Sequence, residues 1–350
     1  MGEIEKGIKD YDTAVNLDFN FAHQFYNLRG LALNSQGEYE KAIADFDRAI
    51  ELKPKIGVYY RNRGYPYRNQ ENYELALGSF NKAIEIEPND SLAYAWRGFT
   101  HAKMGNSELS ISDFNKAISL DAESSLLYTM RGDGYFALGE IDKGIEDYNT
   151  AISLSPDLAP KYYNQRANQL IRLENHERAI ADYSKAIELK PKNYEAYYGL
   201  GSLYTQLNEH QKAIEQLDRA IEINPKGLWA YAFRGLSYSS LEEYENSLSD
   251  YTQAIEINPE NPEISSVYLA RGQSHKLLNN YDAAMVDFDR AIKLKSNNID
   301  AFEERAKLHE QLGDKHAARK DWENIARLYQ EQGDTDSSKL ALENIRKLQE

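Results

Sequence analysis

Arginine recurs at a regular spacing in this chain of 350 residues, and it is the first residue type that could do chemistry. A planar guanidinium binds carboxylates and phosphates through two parallel hydrogen bonds, so a row of arginines could bind anions. The alternative is structural, because an aspartate follows most of these arginines 16 residues later. Where Leu200 replaces the arginine, Gln216 replaces the aspartate, so we predict ion pairs within the chain. The arginines are Arg29, Arg63, Arg97, Arg131, Arg166, Arg234, Arg271 and Arg305.

Other patterns that resemble catalytic or metal sites have structural explanations. The chain has no cysteine, which excludes disulfides and thiolate metal ligands. Five of its 7 histidines stand at spacings where tyrosine stands elsewhere, so we expect them to pack rather than to bind metal. The segment GDGYFA at 132–137 matches a dinucleotide-binding fingerprint only formally, since that motif follows a strand. We predict no cofactor, no metal and no enzymatic activity.

Composition and charge narrow the classes of partner. The chain is 41% hydrophobic and 28% charged, with a formal net charge of −15. Nucleic acid prefers a basic surface, so we expect no nucleic-acid partner. No apolar run reaches the roughly 20 residues that span a bilayer, and the first residues lack the apolar segment of a signal peptide. We therefore expect no direct membrane insertion and a cytoplasmic location.

The spacing of the arginines comes from an internal repeat of 34 residues, with short insertions near 159 and 262. Position 8 is always Gly or Ala, position 20 is always small and position 24 is large, as at Gly30, Ala42 and Phe46. Small residues let two helices approach closely, and large ones fill the space beside them. In YEKAIADFDRAI, apolar residues recur every three or four positions, which predicts a helix. Nine copies start at 23, 57, 91, 125, 160, 194, 228, 265 and 299.

These residues resemble the tetratricopeptide repeat, and the resemblance covers nearly the whole chain. It implies an all-α fold, a right-handed α-solenoid of about nine helix-turn-helix repeats with a C-terminal capping helix. No repeat buries its apolar face alone, so neighbouring repeats share a core. The resemblance also implies that the first helix of each repeat lines a concave groove. We predict a non-catalytic scaffold that binds a protein or peptide in this groove.

The two ends of the chain depart from the repeat. Residues 1–22 align with the second helix of a repeat and a linker, but the first helix is missing. We expect that the chain either was cut from a longer protein or covers that end with a partner. Residues 23–332 hold the nine repeats. Residues 333–350 are predicted to form an amphipathic capping helix, with Asp336 or Ser337 as its N-cap.

The groove residues carry the functional information. The resemblance implies that positions 2, 5, 6, 9, 12 and 13 of each first helix face the groove. In repeats two to four they combine apolar and basic residues on an acidic protein, which is typical of binding sites. We predict that a partner segment is bound there by apolar burial and that Arg61, Arg68 and Lys103 select its acidic flank. The groove residues are Arg61, Tyr65, Arg68, Leu92, Trp96, Phe99, Lys103, Met130 and Phe136. A second candidate patch consists of Tyr198, Trp229, Phe233 and Leu236.

Other interpretations remain open. The apolar groove residues could instead pack between adjacent first helices. The chain could be the substrate-recognition arm of a larger enzyme, such as a glycosyltransferase. It could also form homo-oligomers through its unfinished N-terminal face. The carboxylate clamp that some relatives use for acidic chaperone tails lacks its lysine and arginine contacts here, so co-chaperone function is disfavoured.

Pro66 stands inside the predicted first helix of the second repeat, between Tyr65 and Tyr67. A proline in a helix costs roughly 3 kcal/mol or more, because it lacks an N–H and crowds the preceding turn. Pro66→Ala is therefore expected to raise the melting temperature, measured by circular dichroism. If Pro66 shapes the groove, the same change should also alter ligand binding. Unchanged binding would rule out that functional role and leave a tolerated defect.

Overall fold

The computed structural model describes residues 10–11 and 21–348, and this part of the chain forms helices without a β-strand. Two 3-10 helices, Pro156–Leu158 and Pro262–Ile264, lie where the sequence has extra residues between repeats. The α-helices are α1 Ala22–Ser35, α2 Tyr39–Leu52, α3 Gly57–Asn69, α4 Tyr73–Ile86, α5 Ser91–Lys103, α6 Ser107–Leu120, α7 Ser125–Ala137, α8 Ile141–Leu154, α9 Ala159–Arg172, α10 His176–Leu189, α11 Tyr194–Gln206, α12 His210–Ile223, α13 Leu228–Ser240, α14 Tyr244–Ile257, α15 Ser265–Leu277, α16 Tyr281–Leu294, α17 Ile299–Gln311, α18 Lys315–Glu331 and α19 Thr335–Lys347.

The chain divides into two compact units, Met1–Asn175 and His176–Glu350. The first unit contains α1 to α9 and the second contains α10 to α19. Within each unit, successive helices are joined by short turns and pack against each other. Helices α1 to α18 form the helix pairs of the nine repeats, and the first helix of each pair has an odd number. The predicted all-α solenoid is thereby confirmed. The prediction of a second helix and linker over residues 1–22 falls mostly outside the described residues, of which 10 and 11 are helical.

Each repeat depends on close contact between its two helices at positions 8 and 24. A Cβ at Gly64 would come within 2.4 Å of the Phe80 ring, and one at Gly272 within 2.6 Å of the Phe288 ring. The residue at position 24 is buried in all nine repeats. The alternation of small and large residues therefore follows from helix packing, since a larger residue at position 8 would separate the helices.

The turn inside each repeat places position 15 in the left-handed backbone region. Glycine fills this position in four repeats, with φ values between 75° and 85°. The other five repeats have glutamate or asparagine there, among them Glu242 with a φ of 62°. An L-residue in this conformation costs roughly 1–2 kcal/mol, because its Cβ approaches the following carbonyl oxygen. These five turns are therefore strained relative to the glycine turns.

Glu242→Gly is expected to raise the free energy of unfolding by about 0.5–1 kcal/mol, because glycine adopts positive φ without that strain. Glu242 is exposed, and no hydrogen bond or ion pair of its side chain is present in the described part of the chain. Urea denaturation followed by circular dichroism measures the change. Gly313→Ala, at a φ of 85°, is the matched control and should lower the free energy of unfolding. A loss of stability in Glu242→Gly would contradict the strain argument.

The arginine at position 7 forms the predicted ion pair inside its own repeat. Arg97 donates from Nε and Nη2 to the two carboxylate oxygens of Asp113, at 2.8 and 2.7 Å. The hydrogen bond to Asp113 raises the pKa of Arg97. In the second repeat, where Ser79 replaces the aspartate, Arg63 donates to the Ser79 hydroxyl at 3.2 Å. The same two-point contact joins Arg29 to Asp45, Arg131 to Asp147, Arg234 to Asp250, Arg271 to Asp287 and Arg305 to Asp321.

The same arginine also binds the preceding repeat. Nη1 of Arg97 donates to the side-chain oxygen of Asn81 at 2.8 Å, and its guanidinium lies 5.5 Å from the centre of the Tyr94 ring. Nη1 of Arg234 donates to Asp218 at 2.6 Å. One side chain therefore joins the two helices of its repeat to the repeat before it. Because these donors are used within the chain, the anion-binding interpretation of the row is wrong for these arginines.

Asp250→Ala is expected to lower the free energy of unfolding by about 3 kcal/mol, because it leaves the largely buried guanidinium of Arg234 without its two-point partner. Asp218 binds the same guanidinium once, and 47% of its side chain is exposed. Asp218→Ala is therefore the control and should cost less than about 1 kcal/mol. Urea denaturation measures both variants. Equal losses in the two variants would show that burial does not decide the strength of these pairs.

The C-terminal helix α19 begins earlier than its expected N-cap. Asp334 caps it, because its carboxylate accepts a hydrogen bond from the N–H of Ser337 at 3.0 Å. The expectation of Asp336 or Ser337 as the cap is therefore wrong. Gly333, with a φ of 79°, makes a left-handed turn like those inside the repeats, and the helix starts directly after it.

Helix α19 covers the apolar face of α18. Ala341 and Ile345 of α19 are buried in one cluster with Trp322 and Ile325 of α18. This contact continues the packing of the repeats, in which neighbouring helices bury each other's apolar faces. Among the described residues, no helix is both long and apolar enough to cross a membrane.

Candidate partner-binding groove

The aromatic residues predicted for the groove form a row across two neighbouring first helices. Tyr65 lies on α3, and Trp96 and Phe99 lie on α5. The edge of one ring faces the next, with ring centres 5.1 Å apart for Tyr65 and Trp96 and 6.1 Å apart for Trp96 and Phe99. All three rings are half-buried, so they support one another and still present surface.

Arg68 is a cation held against this aromatic row. Its guanidinium lies 4.4 Å from the centre of the Trp96 ring and 5.3 Å from the centre of the Phe99 ring. Its Nη2 donates to the side-chain oxygen of Asn69 at 2.7 Å, but its Nη1 is buried without a hydrogen-bond partner. Burial lowers the pKa of Arg68. Within the described residues Arg68 has no carboxylate partner, so the chain leaves part of its donor capacity unused.

A second cation, Lys103, also lies near the ring of Phe99. Its Nζ is 5.6 Å from the centre of that ring. The side chain is exposed, and it makes no ion pair in the described part of the chain. Arg68 and Lys103 therefore hold two positive charges beside one aromatic ring.

Arg61 differs from these two cations because the chain itself neutralises it. Its Nη1 lies 3.1 Å from the Asp90 carboxylate, and both side chains are largely buried. Asp90 also accepts hydrogen bonds from the backbone N–H groups of Leu92 and Ala93 at the start of α5. Leu92 is half-buried and packs with Trp96 in one cluster. Arg61 is thus part of the connection between repeats two and three.

Met130 and Phe136, also predicted for the groove, are buried, with 6% and 2% of their surface exposed. Phe136 packs against Gly144 of α8, where a Cβ would come within 2.9 Å of its ring. Met130 packs in the cluster that contains Phe114 and Leu127. These two side chains therefore contribute little exposed surface to the predicted groove.

A cavity of about 330 Å³ adjoins the aromatic row between α5, α7 and α9. Asp133 lies in its wall, and its Oδ1 accepts hydrogen bonds from the Tyr148 hydroxyl at 2.8 Å and from the Gln169 amide at 3.0 Å. Burial raises the pKa of Asp133, although these two hydrogen bonds and the nearby Arg172 act against the shift. The cavity is lined by Phe99, Ala102, Lys103, Asp133, Gly134, Phe136, Ala137, Gln169, Arg172 and Leu173.

The sequence placed Asp133 on the groove face of the fourth repeat, but the predicted binding residues included neither Asp133 nor Gln169 nor Arg172. The repeat pattern could have identified two of them. Asp133 occupies groove position 9, and Arg172 occupies groove position 13, as Lys103 does. Arg172 is exposed and has no ion pair among the residues described. Gln169 stands at a position outside the groove pattern, and only the placement of α9 beside α7 brings it to Asp133.

Pro66 does not interrupt α3, which runs continuously from Gly57 to Asn69. The ring is buried, and the Pro66 carbonyl accepts a hydrogen bond from the N–H of Gln70 at 3.0 Å. Because proline has no N–H, the carbonyl of Asn62 lacks its usual partner four residues later. Pro66 lies directly between Tyr65 and Tyr67, so its functional role stays a prediction.

The second candidate patch lies in the second unit. The Tyr198 ring of α11 contacts the Phe233 ring of α13 edge to face, with centres 5.9 Å apart. Trp229, Phe233 and Leu236 line a cavity of about 290 Å³. Its other lining residues are Ala232, Tyr251, Ser266, Val267 and Ala270. This cavity is almost wholly apolar, and its lining contains no cation comparable to Arg68 or Lys103.

The surroundings of two histidines, His101 and His275, bear on the expectation that they pack as tyrosine does elsewhere. Burial lowers the pKa of His101 and His275, which favours neutral packing residues. No group of three or more His, Asp or Glu side chains in the described residues could hold a metal ion. The GDGYFA segment lies inside α7, which excludes the strand that a dinucleotide fingerprint needs.

Family models of the tetratricopeptide repeat match successive parts of the chain. The matched residues are 23–56, 64–105, 92–124, 126–158, 164–227, 229–261 and 265–298. Together they cover most of the chain. No curated protein matches it.

Several solved structures are similar to the chain. The C-terminal part of a TPR repeat-containing protein from Cytophaga hutchinsonii is 21% identical, with a TM-score of 0.55 over 71% of this chain and 98% of that one. Cut9–Hcn1, a hetero-tetramer of the APC/C, is 13% identical, with a TM-score of 0.52 over 98% of this chain and 81% of that one. MamA is 26% identical over 50% of this chain and 94% of that one, with a TM-score of 0.44. The first two similarities support the fold.

Proposed function

Because the chain belongs to the tetratricopeptide repeat family, we propose that it is a non-catalytic scaffold that binds a segment of a partner protein in the groove of the first unit. Family membership supports a protein-interaction scaffold in general. The choice of groove rests on one observation, the guanidinium of Arg68 stacked on Trp96 and Phe99 without a carboxylate partner.

The unpaired cations indicate the charge of the partner segment. Arg68, Lys103 and Arg172 have no ion pair in the described residues, although the protein carries a net charge of −15. A carboxylate of the partner would neutralise a cation that burial has already desolvated. The segment is therefore expected to be acidic next to its apolar contact residues.

The aromatic row supplies the apolar part of the contact. Half-buried aromatic residues held by their neighbours lose little side-chain entropy when a ligand covers them, so they make effective binding anchors. Tyr65, Trp96 and Phe99 meet this description. The second unit offers an alternative contact surface in the apolar cavity beside Trp229, which would take an apolar side chain without charge selection.

The proposal is tested with Arg68→Gln/Lys103→Gln in a pull-down from the native lysate. This double variant should lose partners that the parent protein binds, and the loss should resemble the effect of raised salt. Lys116→Gln/Lys161→Gln is the control, because it removes two exposed charges of the same unit and should retain the partners. Melting temperatures of all three proteins show whether folding is intact.

The opposite result would place the contact elsewhere. Partners that bind the parent and Arg68→Gln/Lys103→Gln equally, but are lost in Trp229→Ala, would overturn the first groove in favour of the second unit. The role as substrate-recognition arm of a larger enzyme and assembly through the N-terminal face remain predictions from the sequence, since the contacts described above bear on neither.

A further inference from the structure

We infer that the cavity beside Asp133 is an anchor subsite for a tyrosine or tryptophan side chain of the partner segment. This inference rests on the proposed binding of an acidic segment in the groove of the first unit, and it adds the type of residue that anchors the segment. The anchoring side chain is an aromatic ring with an O–H or N–H donor at its edge. Four features of the cavity support it.

The first feature is the shape of the cavity. Its volume of about 330 Å³ is near the lower end of the roughly 300–1,000 Å³ of small-ligand sites, so it suits one side chain. The rings of Phe99 and Phe136 form part of its wall, and aromatic rings pack well against another ring. Gly134 also lines the cavity and adds no side chain to it.

The second feature is an oriented acceptor. The Tyr148 hydroxyl and the Gln169 amide both donate to Oδ1 of Asp133, and Tyr148 is itself fully buried. Two donors on one oxygen fix the plane of the carboxyl group. Its other oxygen, Oδ2, accepts no hydrogen bond from the described residues. A donor on the ligand would satisfy it, and a buried hydrogen bond to a charged group is worth more than one between neutral groups.

The third feature is the charge around the cavity. Lys103 and Arg172 line it beside Asp133, so the site as a whole is not negative. A lysine or arginine anchor would be repelled by both cations. A carboxylate anchor would be repelled by Asp133. An uncharged aromatic side chain is attracted to cations through its ring, while its acidic neighbours in the segment pair with them at the edge of the cavity.

The fourth feature is the cost of other uncharged anchors. Leucine or phenylalanine would fill the apolar part but would cover Oδ2 without giving it a donor. Burying an unsatisfied polar group is unfavourable, so these residues should bind more weakly than tyrosine. Serine or asparagine would offer a donor but would leave the apolar walls uncovered. Only a side chain with both an aromatic ring and a donor satisfies the whole lining.

The test compares peptides that differ at one residue. The acetylated, amidated peptide Asp-Glu-Asp-X-Asp-Glu-Asp is prepared with tyrosine, phenylalanine or lysine at X, and its affinity is measured by isothermal titration calorimetry with the full chain. The tyrosine peptide should bind at least about tenfold more tightly than the phenylalanine peptide, the ratio for one hydrogen bond to a charged group of ~1.5 kcal/mol. The lysine peptide should bind most weakly.

Asp133→Asn is the decisive variant, because its carbonyl oxygen can still accept from Tyr148 and Gln169 while the charged Oδ2 is lost. It should lower the ratio of the tyrosine to the phenylalanine affinity, because the Nδ2 amide that replaces Oδ2 donates and cannot accept the tyrosine O–H. Retained binding of the phenylalanine peptide also shows that the protein is folded. Asp121→Asn, at an exposed turn, makes the same change of charge and should preserve the preference for tyrosine.

The outcomes separate this inference from the proposed function. If the tyrosine and phenylalanine peptides bind equally to the parent, or if Asp133→Asn keeps the preference, the anchor is overturned and the proposed binding of an acidic segment stands. If no peptide of the series binds but Arg68→Gln/Lys103→Gln still loses partners in the pull-down, the anchor alone is overturned. If that pull-down shows no loss either, the anchor and the proposed function are both overturned. A uniform loss for all peptides in Arg68→Gln/Lys103→Gln supports the groove independently of the anchor.

Discussion

A guanidinium shared between two repeats is the contact on which the stacking of the helices depends. Arg234 binds Asp250 of its own repeat at two points, binds Asp218 of the repeat before it and lies 5.6 Å from the centre of the Tyr231 ring. A repeat that moved relative to its predecessor would break hydrogen bonds to a partly buried charge, which is costly. The first helices, and with them the groove, keep their positions for this reason.

The same constraint decides which cations remain available to a partner. The arginines at position 7 are used in contacts between and within repeats, and Arg61 is used by Asp90. The positive charge of the groove therefore comes from Arg68, Lys103 and Arg172, which stand near the ends of first helices and outside that pattern. An acidic protein thus obtains a local positive surface without changing the contacts that hold its repeats together.

The sequence predicted the contacts that recur and missed those that occur once. Nine copies act as an internal alignment, so the joint replacement at Leu200 and Gln216 was enough to predict the arginine–aspartate pairs. The use of Arg61 by Asp90 depends on how one loop meets the next helix, which no repeated position records. The cavity beside Asp133 needs three helices in contact, so residue types alone could not indicate it. Its candidate lining residues were visible only as members of groove positions.

The Phe136 ring occupies the space that a side chain at position 144 would need, so the two positions are coupled. Position 20 is alanine or serine in the other repeats, but a Cβ at Gly144 would come within 2.9 Å of the Phe136 ring that occupies its space. An alanine or serine at position 144 is therefore tolerated only if residue 136 is smaller than phenylalanine, so the effect of a substitution at 144 depends on residue 136. A change at 144 therefore reaches the wall of the cavity, since Phe136 forms part of that wall.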